Sequence, residues 1–131
     1  MVSAFQYESE KPFVVPKNWP NPVYNFKLNP LSKNKIELGR ALFYDTKLSR
    51  NNTISCASCH SPYSAFTHID HALSHGIEDK IGKRNSLALM NLAWQTLFMH
   101  DGAVNHLDVQ ALAPISNPLE MDESIINVVS K

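Results

Sequence analysis

Apolar and polar positions follow a helical period over only part of this chain. From Leu31 onward, LSKNKIELGRALFYD puts Ile36, Gly39, Ala41, Leu42 and Phe43 on one stripe behind Ser32, a residue type whose hydroxyl caps helix starts. The pattern predicts an amphipathic helix of about three turns. Gly39 inside it lowers helix stability, and close approach of another backbone is the expected compensation. TKLSRNNTIS is turn chemistry, and SCASCH predicts a short helical turn. SPYSAFTHIDHALSHGIEDKIGKR is polar, rich in histidine and aperiodic, which predicts a long loop of the kind that usually carries function. NSLALMNLAWQTLF resumes a helical period, with Leu87, Met90, Trp94 and Leu97 on one face. After a turn at HDGA, HLDVQALA predicts a short helix, NPLEMDES a turn with Asp122 as a helix cap, and IINVV a last apolar run.

The first thirty residues read differently. Five of the eight prolines fall there, in PFVVPKNWPNPVYNFKLNP, without a sustained period. Proline removes a backbone donor and fixes φ, so residues 1–30 predict an extended arm, with Trp19, Tyr24 and Phe26 as anchors, ahead of a domain at 31–131. Strand alternation and internal repeats are absent. The fold expected is all-α with long loops.

Composition narrows the function classes. At 131 residues and 44% apolar content, the chain is long enough to bury a core as one domain without disulfides. Twelve basic residues balance twelve acidic ones, so no global charge points to nucleic acid or a membrane surface. The opening MVSAFQYESEKP lacks the apolar centre of a secretion signal, and no run approaches a membrane span.

Cys56 and Cys59 are the only cysteines, and His60 follows the second directly. A disulfide across two intervening residues would staple almost nothing, so chemistry is the better explanation for the pair. C-x-x-C-H is the attachment signature of c-type haem: each thiol adds to one vinyl group, and the adjoining imidazole ligates the iron. Two other readings compete. A thioredoxin-like dithiol wants a βαβ context, and a zinc site would need Cys56, Cys59 and two nearby histidines. Haem makes the expected fold a cytochrome c-like domain, and it places the protein in an exported, oxidising compartment, the bacterial periplasm, with the export signal outside this sequence. His68, His71, His75 and Met99 are the candidates for the second axial face of the iron. The three histidines, spaced three and four apart, also read as the polar face of a helical turn.

Beyond that motif, three segments in order resemble the N-terminal half of bacterial di-haem cytochrome c peroxidases and the related enzyme that matures methylamine dehydrogenase. They are LGRALFYDTKLSRNNTISCASCHSPYSAFT, HGIEDKIGKRNSLALMNLAW and DGAVNHLDVQALAPISNPLEM. The resemblance covers about Leu31 to Met121. It implies His60 as the proximal iron ligand and His75 as a sixth ligand that leaves on activation. Gln110 and Glu120 would line the distal pocket, with Glu120 handling protons, and Asn85 would contribute to a calcium site between two haem domains. The implied reaction is reduction of hydrogen peroxide to water, with electrons from a small donor such as a cytochrome c. The implied partners are a second, C-terminal haem domain absent from this chain and, in the full-length enzyme, a second copy as a homodimer.

Physical chemistry makes these roles coherent. Heterolysis of peroxide needs a base for the proton of the near oxygen and an acid for the leaving oxygen, and one desolvated carboxylate can do both. An amide such as Gln110 can orient the peroxide without titrating. The chain departs from the family at MHDG, where His100 stands in place of a relay tryptophan, and at Ala103, where an arginine is usual. With one C-x-x-C-H, it resembles the peroxidatic half alone. The competing expectation is a mono-haem electron carrier whose two protein ligands, such as His60 with His75 or Met99, stay bound throughout.

Overall fold

The computed structural model describes residues 13–131; the part of the N-terminal arm formed by residues 1–12 lies outside it. The described residues form five α-helices: α1 (Lys33–Tyr44), α2 (Cys56–Cys59), α3 (Leu107–Gln110), α4 (Leu112–Ser116) and α5 (Ile125–Ser130). Single 3-10 turns at Thr46–Leu48, Pro62–Ser64, Ile77–Asp79 and Leu92–Trp94 punctuate the loops. No strand is present among the described residues. Three isolated antiparallel bridges instead pinch loops at their bases: Ser61 with Thr67, His75 with Ile81, and Phe98 with Val104.

The local signals around α1 act as their chemistry requires. The Ser32 hydroxyl accepts the Lys35 N–H at 3.3 Å, satisfying one of the donors a helix start leaves open. At the other end the Asp45 N–H returns to the Leu42 carbonyl, and the Asp45 carboxylate accepts the Lys47 N–H at 2.9 Å, which starts the next turn. Ser49, fully buried, then folds the chain back. Its hydroxyl donates to the Thr46 carbonyl and accepts the N–H groups of Thr53 and Ile54, delivering the chain to α2.

Four expectations are corrected. A β-carbon on Gly39 would meet nothing within 4 Å, so no backbone approaches it, and α1 buries none of its residues. The 86–98 segment is not a helix: Asn91 at φ 54° interrupts it, leaving an extended path with one 3-10 turn. Residues 68–75 are not a helical turn either, although the three histidine rings still meet, His68 to His71 at 5.0 Å and His71 to His75 at 4.6 Å between centroids. Asp122 does not cap α5. Ser124 does, accepting the Asn127 N–H at 3.1 Å, while Asp122 pairs with Arg50.

Residues 13–31 contain no helix or strand and run against the 93–94 segment. The Tyr24 N–H donates to the Ala93 carbonyl, the Trp94 indole N–H to the Pro20 carbonyl, and Trp19 packs edge-on against Trp94 at 5.0 Å. Phe26 stacks with Phe13 and Tyr24, and the Tyr24 hydroxyl reaches Asp108 on α3 at 2.6 Å.

The core is where length misleads. Among the described residues only Ile77, Ala93, Phe98, Ile115 and Met121 are buried apolar side chains, and all but Ile115 sit outside the α-helices. Leu87, Met90 and Leu97 remain about half exposed, at 43%, 52% and 57%. A chain of this size ordinarily buries far more. Leu87 and Leu97, with Leu89, Leu92 and Phe98, border a space.

Candidate functional site

That space is a cleft of about 630 Å³, in the range of ligand and cofactor sites. One wall is apolar, from Leu87, Leu89, Leu92, Leu97 and Phe98; Cys59, His60, His75, Met99, Gln110 and Glu120 supply its chemistry. The sequence-predicted residues therefore converge, with exceptions. His68 and His71 line a smaller hollow of about 420 Å³, His75 lines both spaces, and Cys56 lines neither, sitting one helical turn before Cys59.

The C-x-x-C-H turn is built locally. Ser58 accepts the Ser55 N–H at 3.1 Å, and the His60 N–H closes the turn on the Cys56 carbonyl at 2.9 Å. Three residues apart on one turn of helix, the two thiols share a face. Both cysteines are free. Burial pushes both thiols up, and Cys59 is raised further by the nearby Glu120 carboxylate and Cys56. A redox-active dithiol needs the opposite shift. The zinc alternative also lacks its ligands, since no group of three or more His, Cys, Asp or Glu side chains among the described residues is placed to hold a metal ion.

His60 carries the clearest sign of a cofactor. Its Nδ1 lies 2.9 Å from the Phe66 carbonyl oxygen, which can only accept, so Nδ1 donates and Nε2 is the nitrogen left for a metal. A ring nitrogen fixed by a backbone carbonyl, with the other free, is the usual arrangement of a metal-ligating histidine. The carbonyl is aimed by a tight loop in which Ala65 and Phe66 both take positive φ. Together with two protonated thiols and an apolar wall lacking its own packing, this donor set fits a covalently attached haem.

On the facing side, His75 and Glu120 are fastened to one another's segments. The Ile77 N–H donates to the Glu120 carbonyl at 2.7 Å, and Gly76 lies against the 119–120 backbone. The Glu120 carboxylate accepts the Asn117 amide at 2.7 Å. Burial raises its pKa above the usual carboxylate value, while the Asn117 bond and nearby His60 pull the other way. Gln110 donates to the Met99 sulfur at 3.5 Å, which engages the one thioether among the axial candidates. His75 Nδ1 is bonded to the Asp79 carboxylate at 2.6 Å.

Asn85 sits at the cleft edge as a strut. Its amide donates to the His68 carbonyl at 2.8 Å, its side-chain oxygen accepts from Ser86 N–H and Ser74, and its backbone carbonyl accepts from His100. These bonds occupy the side chain that the family resemblance assigns to calcium. Asn117 and Asp79 join the site without having stood out in the sequence. The signals available were small: an amide three residues before Glu120, and a carboxylate four after His75.

A C-x-x-C-H turn whose histidine ring is oriented by a backbone carbonyl, beside an apolar cleft, is the framework of a c-type haem domain. Residues 33–131 match the di-haem cytochrome c peroxidase family, and the chain belongs to it. It is 38% identical over 122 residues to methylamine utilization protein MauG of Methylorubrum extorquens, covering 88% of this chain and 31% of that protein. With cytochrome c551 peroxidase of Pseudomonas aeruginosa it shares 33% over 103 residues, covering 78% and 29%. Among solved structures, a MauG-like protein associated with microbial copper homeostasis superimposes with a TM-score of 0.77 at 35% identity, over 88% of this chain and 34% of that one. The diheme peroxidase BthA of Burkholderia thailandensis gives 0.64 at 25%, over 71% and 27%. The chain thus spans about 30% of the length of these curated relatives. Family membership implies covalent haem c and an oxidoreductase class.

Proposed function

We propose that this chain is the peroxidatic haem domain of a di-haem peroxidase, reducing hydrogen peroxide to water. Electrons would come from a small protein such as a cytochrome c through a second haem domain. Residues 31–131 form the domain in this reading, with 1–30 as its arm. Cys56 and Cys59 would hold the haem by thioether bonds and His60 would ligate its iron, with His75 on the other face at rest. The haem, when bound, supplies the redox-active iron at which peroxide is reduced. Thioether attachment takes place on the exported side of the membrane, so the periplasm is the proposed location. A homodimer of the full-length enzyme belongs to the same proposal.

The observation that carries this reading is Glu120. A carboxylate whose pKa is raised by burial, in the same cleft as His60, is suited to take a proton and return it. Asn117 fixes one of its oxygens, leaving the other to work. Gln110, on the same cleft, offers an amide that orients a small polar substrate at any pH. The apolar wall limits water, which strengthens each of these contacts. A simple electron carrier has no use for such a carboxylate.

The test is Glu120→Gln in the haem-loaded protein joined to its second haem domain. Peroxide turnover should fall by about 100-fold or more, the scale of a lost acid–base group, with haem content and absorption spectrum retained. Unchanged turnover would remove Glu120 from the mechanism.

A further inference from the structure

We propose that Asp79 is the positioning residue that holds His75 in place as an iron ligand; this rests on the reading of His75 as the resting-state ligand. The Asp79 carboxylate lies 2.6 Å from His75 Nδ1. A carboxylate oxygen accepts from the ring N–H, so Nδ1 donates and Nε2 is the nitrogen left for a metal. The charge opposite Nδ1–H also makes Nε2 a better donor, as carboxylates behind metal-bound imidazoles do.

The contact does not come from helical spacing. Asp79 follows His75 by four residues, but the chain between them is a pinched loop, closed by the Gly76 N–H on the Lys80 carbonyl at 2.9 Å. Glu78 and Asp79 both take left-handed backbone, at φ 55° and 58°, a conformation that aspartate tolerates and that glutamate adopts at a cost. Without that reversal the Asp79 carboxylate would not come back over the imidazole. What holds the turn is visible. Arg50 grips Glu78 at 2.7 Å and Asp122 at 3.0 Å, and Lys80 donates to the Pro118 carbonyl at 3.3 Å and lies 3.5 Å from Glu78. The turn presenting Asp79 is therefore clipped to residues 118–122, the segment that also carries Glu120.

The Asp79 side chain is 84% exposed and bonds to His75. The turn is fixed while the grip on His75 is a single solvent-facing bond. A ligand that must stay at rest and leave on activation is suited by such an arrangement. His75 can swing away without dismantling the Arg50 clip.

The experiment uses the haem-loaded chain in the ferric state, in a His71→Ala background, so that the neighbouring imidazole cannot replace His75. The His71→Ala protein should be six-coordinate low-spin by absorption and electron paramagnetic resonance, and adding His75→Ala should make it high-spin. A high-spin His71→Ala protein, or a double variant that stays low-spin, overturns both the ligand reading and this proposal. With the ligand reading standing, adding Asp79→Ala should raise the high-spin fraction and tighten azide binding about tenfold or more, the scale of lost support behind a metal ligand. Asp79→Asn, which keeps an acceptor oxygen without the charge, should fall between. If Asp79→Ala leaves the spin state and azide affinity unchanged, whether or not it alters thermal stability, the proposal fails while His75 stays a ligand.

Discussion

Gly76 and Glu120 are packed backbone to backbone. A β-carbon on Gly76 would lie 2.6 Å from the Glu120 Cα and 2.1 Å from the Leu119 carbonyl oxygen. The glycine after His75 is thus explained by what lies opposite it, and the contact couples the segments that carry His75 and Glu120.

Gly76→Ala should be costly. Backbone atoms cannot yield as a flexible side chain would, so overpacking of at least about 1–3 kcal/mol is expected. Urea unfolding of the haem-loaded protein should show the loss as a lower midpoint at similar slope. The ferric spectrum should change with it, because the shift moves His75 and Glu120 together.

Asn117→Ala removes the amide that donates to Glu120, together with the side-chain oxygen that accepts the Leu119 N–H. Burial raises the Glu120 pKa, and the Asn117 bond opposes that rise. Without the amide the pKa moves higher still. Glu120 must be ionised to accept a proton, so the acidic limb of peroxide kcat/KM should move to higher pH, read from a pH–rate profile of the protein with its second haem domain.

Glu123 governs a different pH dependence. It is 6% exposed, and its carboxylate, held by Lys131 at 2.5 Å, by Asn127 and by the Ser124 N–H, is lowered from 4.5 to about 2. With the folded pKa below the unfolded one, its stabilisation is complete above about pH 4.5 and disappears as pH falls to about 2. Glu123→Gln should flatten the stability profile in that window, measured by denaturant unfolding across pH.

Haem-free chain should be a poor fold. With five buried apolar side chains among the described residues, little packing is left to hold the loops. Far-UV circular dichroism should keep part of the helical signal, near-UV signal should be weak, and a hydrophobic dye should bind. Haem loading should reverse all three.

The legible parts of the sequence were the local ones. Ser32 caps α1 and SCASCH makes α2 because each signal is read by atoms within a few residues. The 86–98 segment defeated the same reading. Leu87, Met90, Trp94 and Leu97 have helical spacing, yet Leu87 and Leu97 line a cleft from an extended chain turned at Asn91. Apolar spacing reports what is covered, and here the thing covered is outside the polypeptide. Gln110 and Glu120 came into view only through family resemblance. Asp79 and Asn117 did not come into view at all: the turn that presents Asp79 is held by Arg50 from 28 residues before Glu78, and Asn117 reaches Glu120 across a local turn that no sequence period marks.

The sparse protein core also sets a chronology. In the folded chain Cys56 and Cys59 are half-buried and their thiols are harder to ionise than in an open peptide. A reaction that must reach both sulfurs meets them best before the loops close. Haem attached by that route would be tethered first and folded around second, the pigment then serving as the nucleus on which the loops condense.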